Sequence, residues 1–421
     1  MKRLTLVIAL IAAAGCATYT AKMEGSRDLY YDGRYEEALR ELHALTDEAS
    51  GRDQYLLFLE RGKVNLAAGL YDSAIVDLQA AENRFLEIEG TSSVADWVTS
   101  ALVNPTMGEF QPEPHEKILI NTYLMLAYWL KGDREGAFVE RNRTVVRLEQ
   151  YLDGFEGENL EKFDVPFARY LVALLYEAQG RTDDARIEYD AIERLNAAAV
   201  PEEINPHLTE IALFTEVGRA PVKVSTEIRG YLQHEGGALL GFFTMPDGTP
   251  FHYATGVPGS FSLDNTGVLF TFAFPRYVRQ ERVVETCVMV IDNMEAGKAI
   301  PLDSIEETAL ESFEKRLGMI LIKAALRTAL KVGAQTKLKE KGGLVVDILG
   351  KALSAVDRAD TRSWQTLPAE VRLFRMEVEP GVHEVYVKYF AAGGSCLGVS
   401  RPVTIEVEEG GKGIVYLPGP A

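Results

Sequence analysis

Two hydrophobic periods divide the chain. Before about residue 219, apolar side chains recur every three to four residues, as in Leu56–Leu66 and Ile120–Leu130, which is the period of an amphipathic helix. From Val222 the period changes to two, and apolar and polar side chains alternate along Val222–Ile228 and Val268–Phe274. The pattern therefore predicts a helical first half and a β-rich second half.

A short motif recurs within the helical half. Gly-x-Tyr-x-x-Ala stands at Gly33–Ala38 and again 36 residues later at Gly69–Ala74, and its frame returns at Gly132–Ala137 and Gly180–Ala185. Glycine permits a tight turn between helices, and the small alanine lets two helices approach closely. This motif resembles that of the tetratricopeptide repeat, whose period is about 34 residues. The resemblance implies a TPR-like α-solenoid of four units over residues 27–219, and we expect a fifth helix, Leu208–Glu216, to cap it.

The second half predicts a β-sandwich-like domain built from two β-rich segments, residues 220–300 and 359–421. Besides the two alternating runs above, the predicted strands are 282–291, 371–378, 383–389, 403–407 and 413–417. We expect the turn Glu379–Gly381 to join the strands on either side of it as a hairpin. The C-terminal part resembles the small adhesin-like or transthyretin-like modules of secreted bacterial proteins.

A helical hairpin is predicted between the two β-rich segments, over residues 301–358, with arms at about 304–332 and 344–356. Residues 315–341 hold eight Lys or Arg and one acidic residue, Glu340. Two interpretations of this basic stretch stay open. It lies on an anionic membrane surface, or its apolar side packs on the β-domain while its cations face solvent or the acidic repeats.

The N-terminus has the features of a targeting segment. Lys2 and Arg3 precede an apolar stretch from Leu4 to Ala14, which is too short to span a bilayer core of about 30 Å as a helix. The ending Ala-Ala-Gly-Cys16 resembles the lipobox of bacterial lipoproteins, with Ala13 where Leu is most usual. The resemblance implies a signal peptide over residues 1–15, cleavage before Cys16 and acylation of Cys16. Residues 16–26 are small and polar and predict a tether.

Charge and composition exclude several classes of protein. The formal net charge is −18, and it becomes −20 when the leader is removed. An acidic chain of this kind is a poor general nucleic-acid binder, because duplex binding relies on Lys and Arg. Three cysteines in 421 residues do not make a disulfide framework. Cys287 and Cys396 are candidates for one pair, which spacing alone does not decide.

A closer resemblance extends over most of the chain. Glu113–Lys117, Asn121–Tyr123, Gly132–Ala137 and Asp360–Trp364 look like motifs of an uncharacterised family of Gram-negative lipoproteins with tetratricopeptide repeats. That family implies architecture and location and supplies no catalytic residues. On the concave face of the implied solenoid, the candidate partner-binding residues are Glu113, Glu116, Lys117, Asn121 and Glu140. The alternative is that Glu116 and Lys117 simply begin a helix in a polar setting.

No catalytic or metal signature is present in the sequence. The chain contains neither His-Glu-x-x-His nor Cys-x-x-Cys, and its six histidines are scattered. We therefore expect no enzymatic activity, no cofactor and no metal. Asp360, Arg362 and Trp364 are a candidate structural polar cluster, in which an ion pair and a packed indole fix a linker.

These observations predict a lipid-anchored protein of the outer membrane that faces the periplasm. Its expected function is that of a scaffold or accessory protein, with the membrane and envelope proteins as partners and no nucleic acid. Two alternatives stay open: a regulator of peptidoglycan synthesis, and an envelope hydrolase or glycan-binding enzyme with an unrecognised site. Convergent carboxylates in a cleft favour an enzyme, and an open concave face without them favours a scaffold.

Overall fold

The computed structural model describes residues 19–49, 51–91, 109–154, 163–235, 238–256, 270–339 and 359–420. Its first part is helical, and its second part is a set of mostly antiparallel sheets. Several predictions lie outside these residues: the signal peptide, Cys16 and the second arm of the helical hairpin. The helices described before residue 200 are α1 (Tyr19–Tyr31), α2 (Tyr35–Glu48), α3 (Gly51–Ala67), α4 (Tyr71–Thr91), α5 (Pro114–Lys131), α6 (Arg134–Asp153), α7 (Pro166–Glu177) and α8 (Thr182–Asn196).

The helices pack as consecutive pairs, and each pair turns at a glycine of the recurring motif. Gly33, Gly69, Gly132 and Gly180 all have a positive φ between 70° and 90°, a conformation that disfavours any residue with a Cβ. The alanine five residues after each glycine is fully buried. The motif therefore predicts these four turns correctly. Helix α1 begins at Tyr19, so the segment predicted as a tether already contains buried helical residues, among them Met23.

Thirteen strands and one further helix are described after residue 200. In chain order they are β1 (Glu210–Val217), β2 (Val222–Glu235), β3 (Ala238–Thr244), β4 (Pro250–Gly256), β5 (Phe270–Val278), β6 (Val284–Ile291), β7 (Met294–Lys298), β8 (Ile300–Asp303), α9 (Ile305–Lys339), β9 (Glu370–Glu377), β10 (Gly381–Ala391), β11 (Cys396–Val399), β12 (Val403–Val407) and β13 (Lys412–Pro418).

The strands form three sheets. The central sheet has the order β13-β1-β9-β8, in which only β13 and β1 run parallel. The outer sheet has the order β11-β10-β6-β7, with β12 also paired to β10. The third sheet has the order β4-β3-β2-β5. Strand pairing therefore joins chain segments on both sides of α9 into the same sheets.

The central sheet lies between the helices and the outer sheet. Ala212 and Phe214 of β1 belong to the hydrophobic core of the helices, whereas Ile211 and Leu213 share a core with the outer sheet. Every residue of β1 is buried. The prediction of a helix at Leu208–Glu216 is therefore wrong. A strand buried on both faces has a continuous apolar run, which periodicity does not distinguish from a buried helix.

The predicted hairpin at Glu379–Gly381 is also wrong. Strand β9 pairs with β1 and β8 in the central sheet, whereas β10 pairs with β6 in the outer sheet. The turn thus carries the chain from one sheet to another. Helix α9 is one long helix, and residues such as Leu321 and Ile322 pack it on the third sheet. In the part of the basic stretch whose side chains the structure describes, residues 315–328, the apolar side therefore packs on a sheet.

Candidate functional site

Residues 359–369, here called the docked segment, lie against helices α1, α3 and α5. This segment directly precedes β9 and has no regular helix or strand. Every residue from Arg362 to Glu370 is buried. Because the segment is more than 200 residues away from these helices in sequence, its burial depends on tertiary contacts that local patterns do not encode.

Two buried carboxylates hold the backbone of the docked segment. Glu60 of α3 accepts hydrogen bonds from the backbone N–H of Gln365 at 2.8 Å and of Thr366 at 2.9 Å. Glu116 of α5 accepts one from the backbone N–H of Trp364 at 2.9 Å. Burial raises the pKa of both carboxyl groups to about 7, although these hydrogen bonds act in the opposite direction. Both carboxyl groups therefore take up a proton at a higher pH in the folded protein than in water.

Side chains complete the attachment. The indole of Trp364 is 1% exposed, lies edge-on to Tyr123 at 5.8 Å between ring centroids and donates its N–H to Thr366 Oγ1 at 3.0 Å. Tyr31 of α1 donates its hydroxyl hydrogen to the carbonyl oxygen of Leu367 at 2.7 Å. The segment is thereby recognised through both its backbone and its aromatic side chain.

An ion-pair cluster fixes the N-terminal end of the docked segment. The guanidinium of Arg362 contacts Asp360 at 2.7 Å and Asp53 of α3 at 3.0 Å. It also donates to the backbone carbonyl of Arg52 at 3.2 Å. In the candidate structural polar cluster of the sequence, Asp360 and Arg362 thus form an ion pair attached to the start of α3, whereas the buried indole of Trp364 packs on α5.

Four of the five candidate partner-binding residues are buried rather than open to a partner. Glu113 forms ion pairs with Lys223 of β2 and Arg316 of α9. Burial alone would raise the pKa of Glu113, but these two cations outweigh it and hold the pKa well below its usual range. The carboxylate therefore links α5 to the third sheet and to α9.

The other candidates have local roles. The backbone N–H of Glu113 donates to the Glu116 carboxylate at 2.7 Å, which closes the N-terminus of α5. Asn121 is fully buried and donates to Glu140 at 2.9 Å and to Glu82 at 3.2 Å. Lys117 alone is partly exposed. Burial explains why these four side chains do not form a free binding face.

A second buried cluster, which the sequence analysis did not single out, joins the helices to the central sheet. Lys63 of α3 is fully buried and contacts Glu216 of β1 at 2.6 Å, Tyr416 of β13 at 2.5 Å and Tyr30 of α1 at 3.1 Å. Glu216 accepts a further hydrogen bond from Tyr123 at 2.6 Å. The sequence gives no distinct signal for this cluster, because the same helix also carries Arg52, Asp53 and Arg61.

A cavity of about 430 Å³ adjoins the docked segment. Glu113, Asp360 and Arg362 line it together with side chains of α9 and the third sheet. Glu113 thus meets Asp360 and Arg362 at one place, although almost 250 positions of the sequence separate it from them. The cavity and the docked segment together form the candidate functional site.

The two cysteines in the described part of the chain do not form a disulfide. Cys287 is buried and Cys396 is exposed, and both are free thiols. Burial raises the pKa of the Cys287 thiol to about 11.

Within the described residues, no group of three or more His, Cys, Asp or Glu side chains is placed to hold a metal ion. Among the helices in those same ranges, none combines the length and apolarity needed to cross a bilayer.

The chain was compared with known proteins at three levels. No protein-family profile, curated protein or solved structure matches it.

Proposed function

We propose that this protein is a membrane-anchored periplasmic scaffold or accessory protein that mediates protein–protein interactions in cell-envelope assembly. The observation that carries the proposal is the manner in which α1, α3 and α5 hold the docked segment. They bind it through backbone hydrogen bonds to Glu60 and Glu116 and through one buried aromatic side chain. Hydrogen bonds to the peptide backbone combined with a pocket for a side chain are one mode of peptide recognition, and helical repeats form extended surfaces for such binding.

The finer architecture is part of this proposal. We assign the helices to a TPR-like α-solenoid, which the four glycine turns and their buried alanines support. We assign the central and outer sheets to a β-sandwich, which their shared core supports. The location rests on the lipobox-like ending at Cys16, because several acyl chains hold a protein stably at a membrane.

Partners would bind the helices on the surface that the docked segment leaves uncovered, because this segment already lies against α1, α3 and α5. The second helix of three successive pairs carries an exposed apolar side chain: Val76 is 66% exposed, Val139 50% and Ile187 64%. Single exposed apolar side chains are common on proteins, so it is their recurrence on the second helix of each pair that makes these three positions the ones to test for contact with a partner.

In-cell photocrosslinking tests this proposal. A photoreactive amino acid replaces Val76, Val139 or Ile187 in the lipidated protein, and Val382 of β10, which is 64% exposed, serves as the matched control. We expect reproducible protein adducts from the helical positions, and fewer of them when Cys16→Ala removes the anchor. Adducts from Val382 alone would contradict the placement of partners on the helices. Absence of protein adducts at all four positions would contradict the scaffold function.

A further inference from the structure

A second cavity, of about 670 Å³, lies between the ends of the helices and the strands β12 and β13, and is here called the edge cavity. On the helix side its lining comprises Tyr71, residues 129–132, Arg134 and Ala178, and on the strand side it comprises residues 403–408 and 410–414. The edge cavity therefore borders both the turns between helices and the last strands of the β-domain.

Strand β12 meets the edge cavity along its backbone. All five of its residues, 403–407, line the cavity, although successive side chains of a strand point to opposite faces of the sheet. A cavity lined by every residue of a strand lies along its edge and not on one face. Among the described strands, β12 pairs with β10 alone, so its other edge borders the cavity. An unpaired edge exposes N–H and C=O groups with which another chain can pair.

The two sides of this strand edge differ in chemistry. Val403, Ile405 and Val407 pack in the core between the outer and central sheets. Thr404 and Glu406 alternate with them, and both are exposed on the opposite face. A strand added to β12 would place every second side chain on the inner side, with Val403 and Ile405, and the others on the solvent side.

Apolar side chains of the helices line the inner side. Tyr71 of α4 and Leu130 of α5 are half-buried, and the buried ring of Trp129 adjoins them in the lining. Strand β13 is the edge of the central sheet, so beyond it the inner side of the outer sheet faces the helices directly. These three side chains can therefore pack against apolar side chains of an added strand.

The cations of the lining already have partners. Lys131 and Lys412 each form an ion pair with a carboxylate outside the lining. The guanidinium of Arg134 lies 3.5 Å from the ring centroid of Trp129 and donates a hydrogen bond to the Trp129 carbonyl oxygen at 2.8 Å. These cations are thus held in place by groups of the protein itself.

The carboxylates of the lining, in contrast, have no partner. The side chains of Glu406 and Glu408 are exposed and form no hydrogen bond or ion pair within the described ranges of the chain. Glu384 of β10, directly opposite Thr404, is a further exposed carboxylate on the solvent side. Because opposite charges on neighbouring strands stabilise their pairing, this side of the edge favours basic side chains.

We propose that the edge cavity binds an extended protein segment of alternating apolar and basic residues as an added strand on β12. Its apolar side chains pack against Tyr71, Trp129 and Leu130, and its basic side chains meet Glu406 and Glu408. Backbone hydrogen bonds to a sheet edge supply affinity, and pockets for alternate side chains supply specificity. The inference rests on the proposed function in taking a protein as the ligand, but it concerns a surface other than the exposed apolar positions of the helices.

Fluorescence anisotropy with labelled peptides tests the proposal. The probe is a heptapeptide of alternating Lys and Val, titrated with the purified full chain. One comparison peptide has Glu in place of Lys, and another has the same Lys and Val residues in two blocks. We expect saturable binding of the alternating Lys/Val peptide and about tenfold weaker binding of the other two. Equal binding of the Glu/Val peptide would overturn the role of the carboxylates, and equal binding of the block peptide would overturn strand addition.

Methylation of peptide nitrogens separates strand addition from attraction between charges. Within a strand, the N–H groups of alternate residues point to the same edge, so those of the Val residues point one way and those of the Lys residues the other. We expect N-methylation of one of these two sets to abolish binding and N-methylation of the other set to preserve most of it. If both methylated peptides bind as well as the parent peptide, the proposal is overturned.

Matched variants of the protein locate the site. Glu406→Gln combined with Glu408→Gln should weaken binding of the Lys/Val peptide about fivefold, whereas Glu285→Gln, an exposed position of β6 outside the lining, should not change it. Far-UV circular dichroism checks that the variants are folded. An equal effect of the double variant and the control, or no saturable binding by the unmodified chain, would refute the proposal. Crosslinks from the helices in cells, combined with no peptide binding, would refute this inference and leave the proposed function standing.

Discussion

Replacement of Trp364 by alanine removes the largest side chain of the docked segment. The indole is almost fully buried against Tyr123, so the substitution leaves a cavity between the segment and α5. Truncation of a buried Trp costs about 3–5 kcal/mol, and the lost hydrogen bond to Thr366 adds about 1 kcal/mol. We therefore expect Trp364→Ala to lower the free energy of unfolding by about 4–6 kcal/mol.

Urea unfolding followed by far-UV circular dichroism measures this change without depending on tryptophan fluorescence. Trp364→Phe is the matched control, because it keeps an aromatic ring but removes the N–H donor, and it should cost about 1–2 kcal/mol. A loss of less than 1 kcal/mol for Trp364→Ala would refute the reasoning, because an indole that costs so little to remove is not packed between the segment and the helices.

Three further changes test other parts of the structure. Glu60 has a folded-state pKa of about 7, above its usual 4.5, so its protonated form contributes stability that is present below pH 4.5 and lost as the pH rises to about 7. Glu60→Gln should therefore flatten the decline in the free energy of unfolding measured from pH 5 to pH 7, and an unchanged slope would contradict this. Gly132→Ala should destabilise the protein by about 1–2 kcal/mol because of its φ of 90°, whereas Gly51→Ala at the start of α3 should not; equal thermal midpoints would speak against the strained turn. Lys63→Met should lower the free energy of unfolding by about 3–5 kcal/mol, because it leaves Glu216 buried without its cation. Adding Glu216→Gln should restore part of that stability in urea titrations, and a double variant no more stable than Lys63→Met would argue against the Lys63–Glu216 ion pair.

The local elements of this fold could be predicted where one backbone conformation or one pattern of burial requires a particular type of residue. The turn glycines are an example, because a positive φ is costly for other residues. Strand β12 was predicted with its observed bounds, 403–407, because it alternates between apolar and polar side chains. Strand β1 was not recognised, because burial on both faces removes that alternation.

The candidate site could be predicted only in part, because its contacts join distant segments. Sequence patterns pointed to Glu113, Asp360, Arg362 and Trp364, but they gave no indication that Glu60 binds the backbone some 300 residues away. A carboxylate that accepts hydrogen bonds from backbone N–H groups needs no particular side chain as its partner. The sequence of the partner segment therefore carries no pattern that indicates the contact. The burial of Asn121 and Glu140 likewise follows from helix packing and not from their residue type.

Mass spectrometry of the mature N-terminus tests the central claim, a protein held at the envelope by lipid, most directly. The account predicts that the N-terminal peptide of protein extracted from the membrane fraction begins at Cys16 and carries acyl chains on it. It also predicts that Cys16→Ala moves the protein into the soluble fraction. An unmodified Cys16, or unchanged membrane partition of the Cys16→Ala variant, would contradict the account.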